Sequence, residues 1–359
     1  MNIALTRLAT QGIANPLFDK PADVVNWLGA LQAQDYLGSL WAIGLRMVSA
    51  TERSIEQAIA DRTIVRTWPM RGTLHFVAAP DVRWMLALLT PRFIAQSASR
   101  YRQLALDEAT FARSKAVFVN ALQGGRQLTR NEVYQHHEQA GIATTGQRGY
   151  HLLGRAAQDG LICFGAPSGK QQTFTLLDEW IPPTNKLTRD AALAALTRRY
   201  FTSHGPAMLT DFAWWSGLTI KDVKVGAELA KAHLNQEVLD GQRYWFSTET
   251  PNSKANAHPL YLLPGFDEYM LGYTDRSASL AAIHAKKIQP GGNGVFSSTI
   301  VIDGKVTGTW KRTFKKGGVI IELASFRPLT LAEDNAFSIA AHRYGEFLGL
   351  PVVLPHRLR

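Results

Sequence analysis

Two glutamines separated by one apolar residue, in Leu31-Gln32-Ala33-Gln34-Asp35, have the type and spacing in this 359-residue chain most open to chemistry. A primary amide neither ionises nor takes up a proton usefully, so the pair is no strong general base. It offers a carbonyl oxygen that can orient a water and an NH2 group that can steady polar atoms nearby. Positions two apart point nearly opposite ways on a helix and share a side in extended backbone. Gln32 and Gln34 therefore converge on one cavity only if this stretch, set between two helical patterns and flanked by Gly29 and Gly38, is not regular helix. Taken alone, two glutamines in a connection read more readily as structural or solvent-facing.

Other constellations carry less. There is no GxxxxGK[ST] phosphate loop, no G-x-S-x-G elbow and no H-E-x-x-H. His136-His137-Glu138 suggests a metal only superficially. Adjacent helical side chains project about 100° apart, so a solvated helix face is the expected reading, and neither metal nor cofactor is expected. Asp267-Glu268 and Asp275 follow an apolar strand and are expected to make turns, caps or salt bridges. Arg71 and His75 lie on a ribbon that can face the same cleft as the glutamines; a salt bridge and a satisfied histidine are the alternative. Lys311, Arg312, Lys315 and Lys316 cluster on and after an expected strand, where phosphate contact competes with a solvated edge. Trp41, Trp68, Trp84, Trp214 and Trp215 are expected in cores, unless a cleft exposes them for stacking.

Around these residues the chain has ample material for packed cores. Hydrophobic residues make up 46 % and charged residues 19 %, which excludes disorder as the main state. The length corresponds to roughly two or three domains. Lys+Arg exceeds Asp+Glu by 39 to 29, and the net charge of +10 favours a polyanionic partner. Cys163 is the single cysteine, so intrachain disulfides and Cys-rich zinc sites are excluded. No targeting segment and no apolar run of about 18 residues is evident, so a cytoplasmic protein without membrane contact is expected.

The periodicities give three successive units of helices followed by a β-ribbon. In the first, helices over 21–29, 39–47 and 51–61 precede strands at 64–68 and 73–77 around a turn with Pro69 and Gly72. A connecting helix spans 81–101. In the second, helices over 107–122, from Thr129 and over 149–159 precede strands at 161–164 and 173–177, with a capping box at Thr129 and Glu132. In the third, helices over 189–202, 207–215 and 219–233 precede a hairpin about Asp240-Gly241. Residues 251–259 form the expected linker. Strands then dominate from Leu260, with turns at Asp303-Gly304 and Gly317-Gly318, until a helix over 330–348. The expected fold class is α+β: tandem winged-helix units over 1–105, 106–183 and 184–250, then a small barrel or curled sheet with its closing helix over 258–359.

Several segments together resemble the AlkZ-type winged-helix DNA glycosylase family. They are Leu31–Asp35 with Leu40-Trp41-Ala42; Met70-Arg71-Gly72-Thr73-Leu74-His75; His204-Gly205-Pro206-Ala207 with Asp211 to Leu218; Leu262-Leu263-Pro264 to Asp275-Arg276-Ser277; and Val301 to Gly304 with Gly308-Thr309-Trp310-Lys311. They stand in family order over nearly the whole chain. The resemblance implies a C-shaped DNA clamp of tandem winged helices and a C-terminal β-barrel. It also implies a catalytic glutamine–apolar–glutamine motif, matched by Gln32 and Gln34. A related branch has aspartate at the second polar position; here that position is Gln34, and Asp35 lies one place beyond. Lys311 follows Trp310 where the family suggests arginine, which keeps charge but loses planar bidentate phosphate binding.

The implied activity is hydrolysis of the N-glycosidic bond of cationic N3- or N7-alkylpurines, with interstrand crosslinks as a further substrate class to be tested. The positive base leaves without added protonation, and oriented dipoles stabilise an oxocarbenium-like sugar. No lysine nucleophile is needed, so a monofunctional, monomeric enzyme acting on alkylated double-stranded DNA is expected. A non-catalytic DNA-binding regulator or damage shield shares the charge and the winged helices, and only the glutamine pair separates the two. An RNA-binding module is disfavoured, since no RNP-type aromatic strand is evident.

Overall fold

The computed structural model describes residues 1–183, 186–249, 260–292 and 294–355. The expected linker over 251–259 lies outside the described residues.

The first unit places the glutamines. Pro21 opens the helix Pro21–Leu28, and Gly29 closes it at φ +79°, a conformation glycine adopts freely. The chain leaves Gly29 extended, so Leu31–Gln32 becomes a short strand. It pairs antiparallel with Thr73–Ala78, Leu31 opposite Phe76 and Gln32 opposite His75. Ile64–Met70 pairs on the other side of Thr73–Ala78, completing a three-stranded sheet. The next helix, Tyr36–Leu45, starts three residues earlier than expected because Asp35 sits extended at its N-cap. Gly38 leaves room there for the Asp35 carboxylate, which would lie 2.5 Å from a Cβ at that position and would have to shift. Thr51 and Ser54 cap the helix Glu52–Ala60 reciprocally.

The second group repeats the order with helices Glu108–Leu122, Arg130–Gln139 and Arg148–Gln158. Its sheet is Leu128–Thr129, Thr173–Leu176 and Ile162–Phe164. The capping box forms as read from the sequence, with the Thr129 amide donating to Glu132 at 2.7 Å. The connecting helix divides at Ser97 into Val82–Gln96 and Ala98–Gln103. A third group has helices Arg189–Ser203, Leu209–Ser216 and Ile220–Leu229 and a hairpin of Leu234–Leu239 with Gln242–Ser247. Asp240 and Gly241 turn it at φ +49° and +75°.

The C-terminal strands do not close into the expected barrel. They form an open five-stranded sheet in the order Val352–Val353, Gly318–Ser325, Lys305–Lys315, Thr299–Ile302, Leu260–Leu263. The helix Leu331–Leu348 packs against the sheet and buries Phe337, Ala341, Tyr344 and Phe347. A helix thereby covers apolar surface that closure would otherwise bury.

This sheet and the first unit share one hydrophobic core, in which Trp41 meets Tyr344 and Phe347 at ring distances of 5.1 Å. The Trp41 indole also donates to Leu262 O, and Trp310 to Leu263 O. Arg46 and Asp267, both fully buried, make a bidentate pair across the junction at 2.9 Å. Breaking one partner of such a pair typically costs about 3–5 kcal/mol. The start and end of the chain are thus locked together, which brings residues 264–276 against the glutamine strand.

Candidate active site

The Gln32-Ala33-Gln34 backbone is pinned on several sides. The Ala33 amide donates to Leu74 O at 2.7 Å, and the buried Arg66 guanidinium donates to Ala33 O at 2.7 and 3.1 Å. Ala33 is itself fully buried, so the side chains on either side of it share the opposite face. Both glutamines line one cavity of about 490 Å³, together with Arg71, Trp214, Arg276 and Phe296. That volume lies within the roughly 300–1,000 Å³ of small-ligand clefts.

The two amides differ in freedom. Gln34 Oε1 accepts from the Leu74 amide at 3.0 Å. A backbone N–H can only donate, so this contact fixes the amide orientation, and Gln34 presents its NH2 group to the cavity. The Gln32 side-chain amide has no hydrogen-bond partner among the described residues. Its carbonyl oxygen is the one available to hold a water.

Beneath Gln32 lies Glu268, fully buried on the short helix Glu268–Leu271. Its carboxylate accepts from the Gln32 backbone N–H at 3.0 Å and from the Trp215 indole at 2.8 Å, and His204 Nε2 lies 3.3 Å away. Burial pushes the carboxyl up, but the His204 contact, the neighbouring histidines and the Gln32 amide together hold it below the ordinary carboxylate range. The group is therefore an anion at neutral pH. A buried anion with its lone pairs occupied fixes the motif and sets a negative potential under the cavity, favourable to developing positive charge.

Arg71 reaches the same cavity from the tip of the Ile64–Met70/Thr73–Ala78 ribbon. Its Cζ lies 4.7 Å from the Trp214 ring centroid, and its guanidinium has no hydrogen-bond partner among the described residues. His75 does not reach the cavity. It is fully buried behind Gln32, with Nδ1 3.0 Å from Thr73 O. Burial, then the charge of Arg71, lower its pKa to about 4, so it is neutral at pH 7 and carries no charge for a phosphate.

The basic cluster at the C-terminal sheet lies apart from this cavity and divides between two faces. Lys311 and Lys315 alternate with Arg312 along the strand Lys305–Lys315. Lys311, Lys315 and Lys316 are exposed. Arg312 turns to the helix face, where it pairs with Asp35 at 3.1 Å and donates to Tyr344 Oη at 3.2 Å. It thus braces the residue that follows Gln34.

Three residues in or beneath the cavity, Glu268, Trp214 and Arg276, were not assigned to the site by the sequence reading. Asp267 does cap its helix and pair with Arg46, and Asp275 accepts from the Ser277 amide in a turn, as expected. Glu268 caps nothing but faces inward onto His204 Nε2 at 3.3 Å, the ion-pair position among the expected roles; the apolar residues around it were the available sign of burial. Trp214 is 37 % exposed while Trp215 is fully buried. Their adjacency on a helix, about 100° apart, already meant that only one could face the core. Trp41, Trp68, Trp84 and Trp215 are core residues as expected. Arg276 lay within a matched segment without an assigned role. His137 is buried on Ser114 at 2.9 Å rather than solvated, and His136 is exposed.

Comparison with known proteins agrees with this architecture. A curated relative, the interstrand DNA cross-link repair glycosylase of Streptomyces sahachiroi, is 26 % identical over 315 residues, covering 81 % of each chain. The solved structure of Streptomyces sahachiroi DNA glycosylase AlkZ superposes with a TM-score of 0.80 over 98 % of both chains at 23 % identity, a likeness of fold. The family model described as DNA glycosylase AlkZ-like matches residues 25–347, and the chain belongs to the AlkZ-like DNA glycosylase family.

Proposed function

We propose that this glycosylase hydrolyses the N-glycosidic bond of cationic N3- or N7-alkylpurine nucleotides in double-stranded DNA, with interstrand crosslinks of the same chemistry as further substrates. The observation that carries the reading is the convergence of Gln32 and Gln34 on one cavity above the buried Glu268 carboxylate. A neutral amide pair over an anion suits a leaving group that is already activated.

In this reading Gln32 Oε1 accepts a hydrogen bond from a water poised at C1′, and the Gln34 NH2 group steadies a polar atom of the sugar or the lesion. As the bond from C1′ to the purine nitrogen breaks, its electron pair neutralises the base. The sugar takes up positive charge, and Glu268 favours that charge from below. Water oxygen then bonds to C1′, and its proton passes to solvent. The described residues lining the cavity include no lysine, which supports base release without strand cleavage. An uncharged base is a poor leaving group, so selectivity follows from the chemistry of the lesion.

The remaining elements serve DNA binding. Residues 1–105, 106–183 and 184–250 act as tandem winged-helix units that, with the sheet of 258–359, form a C-shaped clamp. Arg71 and the exposed Lys311, Lys315 and Lys316 contact phosphates, while Arg312 and His75 hold the motif's surroundings. The enzyme acts as a cytoplasmic monomer without cofactor. The test is incubation with duplexes carrying one defined alkylpurine or one crosslink. Free base and abasic sites in an otherwise unbroken strand support the reading; tight binding without base release moves it to a non-catalytic DNA-binding protein.

A further inference from the structure

Two guanidinium groups share the cavity with the glutamines. Arg71 lies over the Trp214 ring at 4.7 Å; Arg276 lies over the same ring at 5.3 Å and over Phe296 at 4.9 Å. These distances are within cation–π range. Arg276 is anchored by hydrogen bonds to Met270 O at 2.7 Å and Thr274 O at 3.3 Å. Arg71 donates to no described protein group, and its Nε is buried without a partner.

The turn that carries Arg71 is built at a cost. Arg71 and Gly72 occupy the two central positions between the paired Met70 and Thr73, at φ +54° and +69°. Such turns favour asparagine, aspartate or glycine at the first position, and a long β-carbon side chain there is strained. The tip is also clamped: a Cβ on Gly72 would lie 2.1 Å from the Phe93 ring, and one on Gly217 would lie 3.2 Å from Arg71 Cγ. The fold therefore holds a cation without a hydrogen-bond partner among the described residues in an unfavourable backbone conformation. Strain of this kind points to function.

The charges also need an explanation. Burial works against the Arg276 guanidinium, with Asp211 and Asp275 offsetting it in part and the charge of Arg71 adding to it. A cationic alkylpurine entering beside two guanidiniums meets two positive charges against the single buried Glu268 carboxylate beneath the cavity, an imbalance that a further anion between the guanidiniums removes. Every nucleotide in DNA carries one. We propose that Arg71 and Arg276, stacked on Trp214, form a phosphate subsite that grips a phosphodiester flanking the damaged nucleotide and screens the cavity for its cationic base. Bidentate guanidinium geometry suits a phosphodiester, and Trp214 holds the forks in place. The inference rests on the glycosylase reading for the identity of the damaged nucleotide and goes beyond it in assigning the anion.

The experiment uses duplexes with one alkylpurine and a single neutral methylphosphonate linkage on its 5′ or 3′ side, with binding read by anisotropy and base release followed separately. Wild-type affinity is expected to fall about 10- to 100-fold for one of the two linkages, the range for a charge-assisted hydrogen-bond pair. Arg71→Asn should lose a similar factor on the ordinary duplex and lose little more on the neutral linkage. Because asparagine suits the turn, its melting temperature should be unchanged or raised, whereas a merely structural arginine would lower it. Arg276→Lys provides a second variant, with a smaller loss expected at the same linkage. Losses from Arg71→Asn and from methylphosphonate that multiply at both positions overturn the proposal. Base release without coupling leaves the glycosylase reading standing and removes the subsite; coupling without base release does the reverse.

Discussion

Two basic ribbons of this enzyme invite comparison. The ribbon of Ile64–Met70 and Thr73–Ala78 ends in Arg71-Gly72, wedged against Phe93, Trp214 and Gly217. The ribbon of Lys305–Lys315 and Gly318–Ser325 ends in Lys316-Gly317, where a Cβ on Gly317 would meet nothing within 4 Å and Phe314 is 45 % exposed. The first tip is pre-organised within protein and points at the glutamines. The second offers lysines to solvent. A fixed guanidinium in a partly desolvated cavity can contribute to the chemical step, because its orientation is already set. Exposed lysines that meet phosphates would contribute through counterion release, which raises affinity without regard to what lies in the cavity. The ribbon with fewer cations is thus the one whose charge is placed in the cavity.

The largest expected effect lies at the glutamines between these ribbons. Gln32→Ala should slow single-turnover base release by about 10²–10³-fold, the range for loss of one oriented dipole in a transition state. Gln34→Glu retains the acceptor for the Leu74 amide and loses the NH2 donor, so it should fold normally and still lose rate. Gln34→Ala should lose rate and also some thermal stability, because Leu74 N–H loses its partner. Losses that merely add for Gln32 and Gln34 would show that the two amides act on separate steps.

Glu268→Gln comes next. It keeps size and removes charge from beneath Gln32, so release should slow by about tenfold or more with DNA affinity little changed. The depressed carboxyl pKa also means that the anion's contribution to stability is present above the ordinary glutamate range and is lost as pH falls through the folded value. An unchanged rate for this variant would reduce Glu268 to a structural support.

Neutralising Lys315 and Lys316 tests the other ribbon. Each lysine–phosphate ion pair removed should lower the log–log salt slope of duplex binding by about 0.9, while base release at saturating DNA stays at the wild-type rate. A lowered saturating rate would contradict the division of labour between the ribbons. Arg312→Gln should behave differently from the lysines, since it frees Asp35: stability falls, with little change in salt slope.

The smallest effect is a pH dependence of stability. His75 is held near pKa 4, against an ordinary value near 6.5, so the unfolded chain takes up the proton first. Its contribution is complete above about pH 6.5 and is lost as pH falls toward 4. Melting temperature should decline over that window, and less steeply in His75→Gln. A slope unaffected by this change would place the pH dependence on other groups, such as the buried His137.

The extended setting of Gln32 was legible because Gly29 ends a helix and side-chain alternation has a fixed period. The capping residues and the Asp240-Gly241 hairpin were legible for the same local reason. The open C-terminal sheet was not. Strand count and turn spacing are the same for a barrel and for a sheet covered by a helix, and the packing of Leu331–Leu348 decides between them. Glu268 was hidden because its partners, Gln32, Trp215 and His204, lie 53 to 236 residues away in sequence. The split between Lys311 and Arg312 could have been read from strand alternation, whereas the Asp35 partner of Arg312 depends on the shared core.

We propose that the paired amides are the principal catalytic groups and that the exposed lysines of the C-terminal ribbon serve binding alone. The most direct measurement is single-turnover release of free base from a duplex with one N7-alkylguanine, comparing wild type with Gln32→Ala/Gln34→Ala at saturating protein. The account predicts rapid release by the wild type, leaving an abasic strand that breaks only with heat or alkali, and release near the uncatalysed rate by a folded, DNA-binding double variant. A double variant that releases base at the wild-type rate would contradict it.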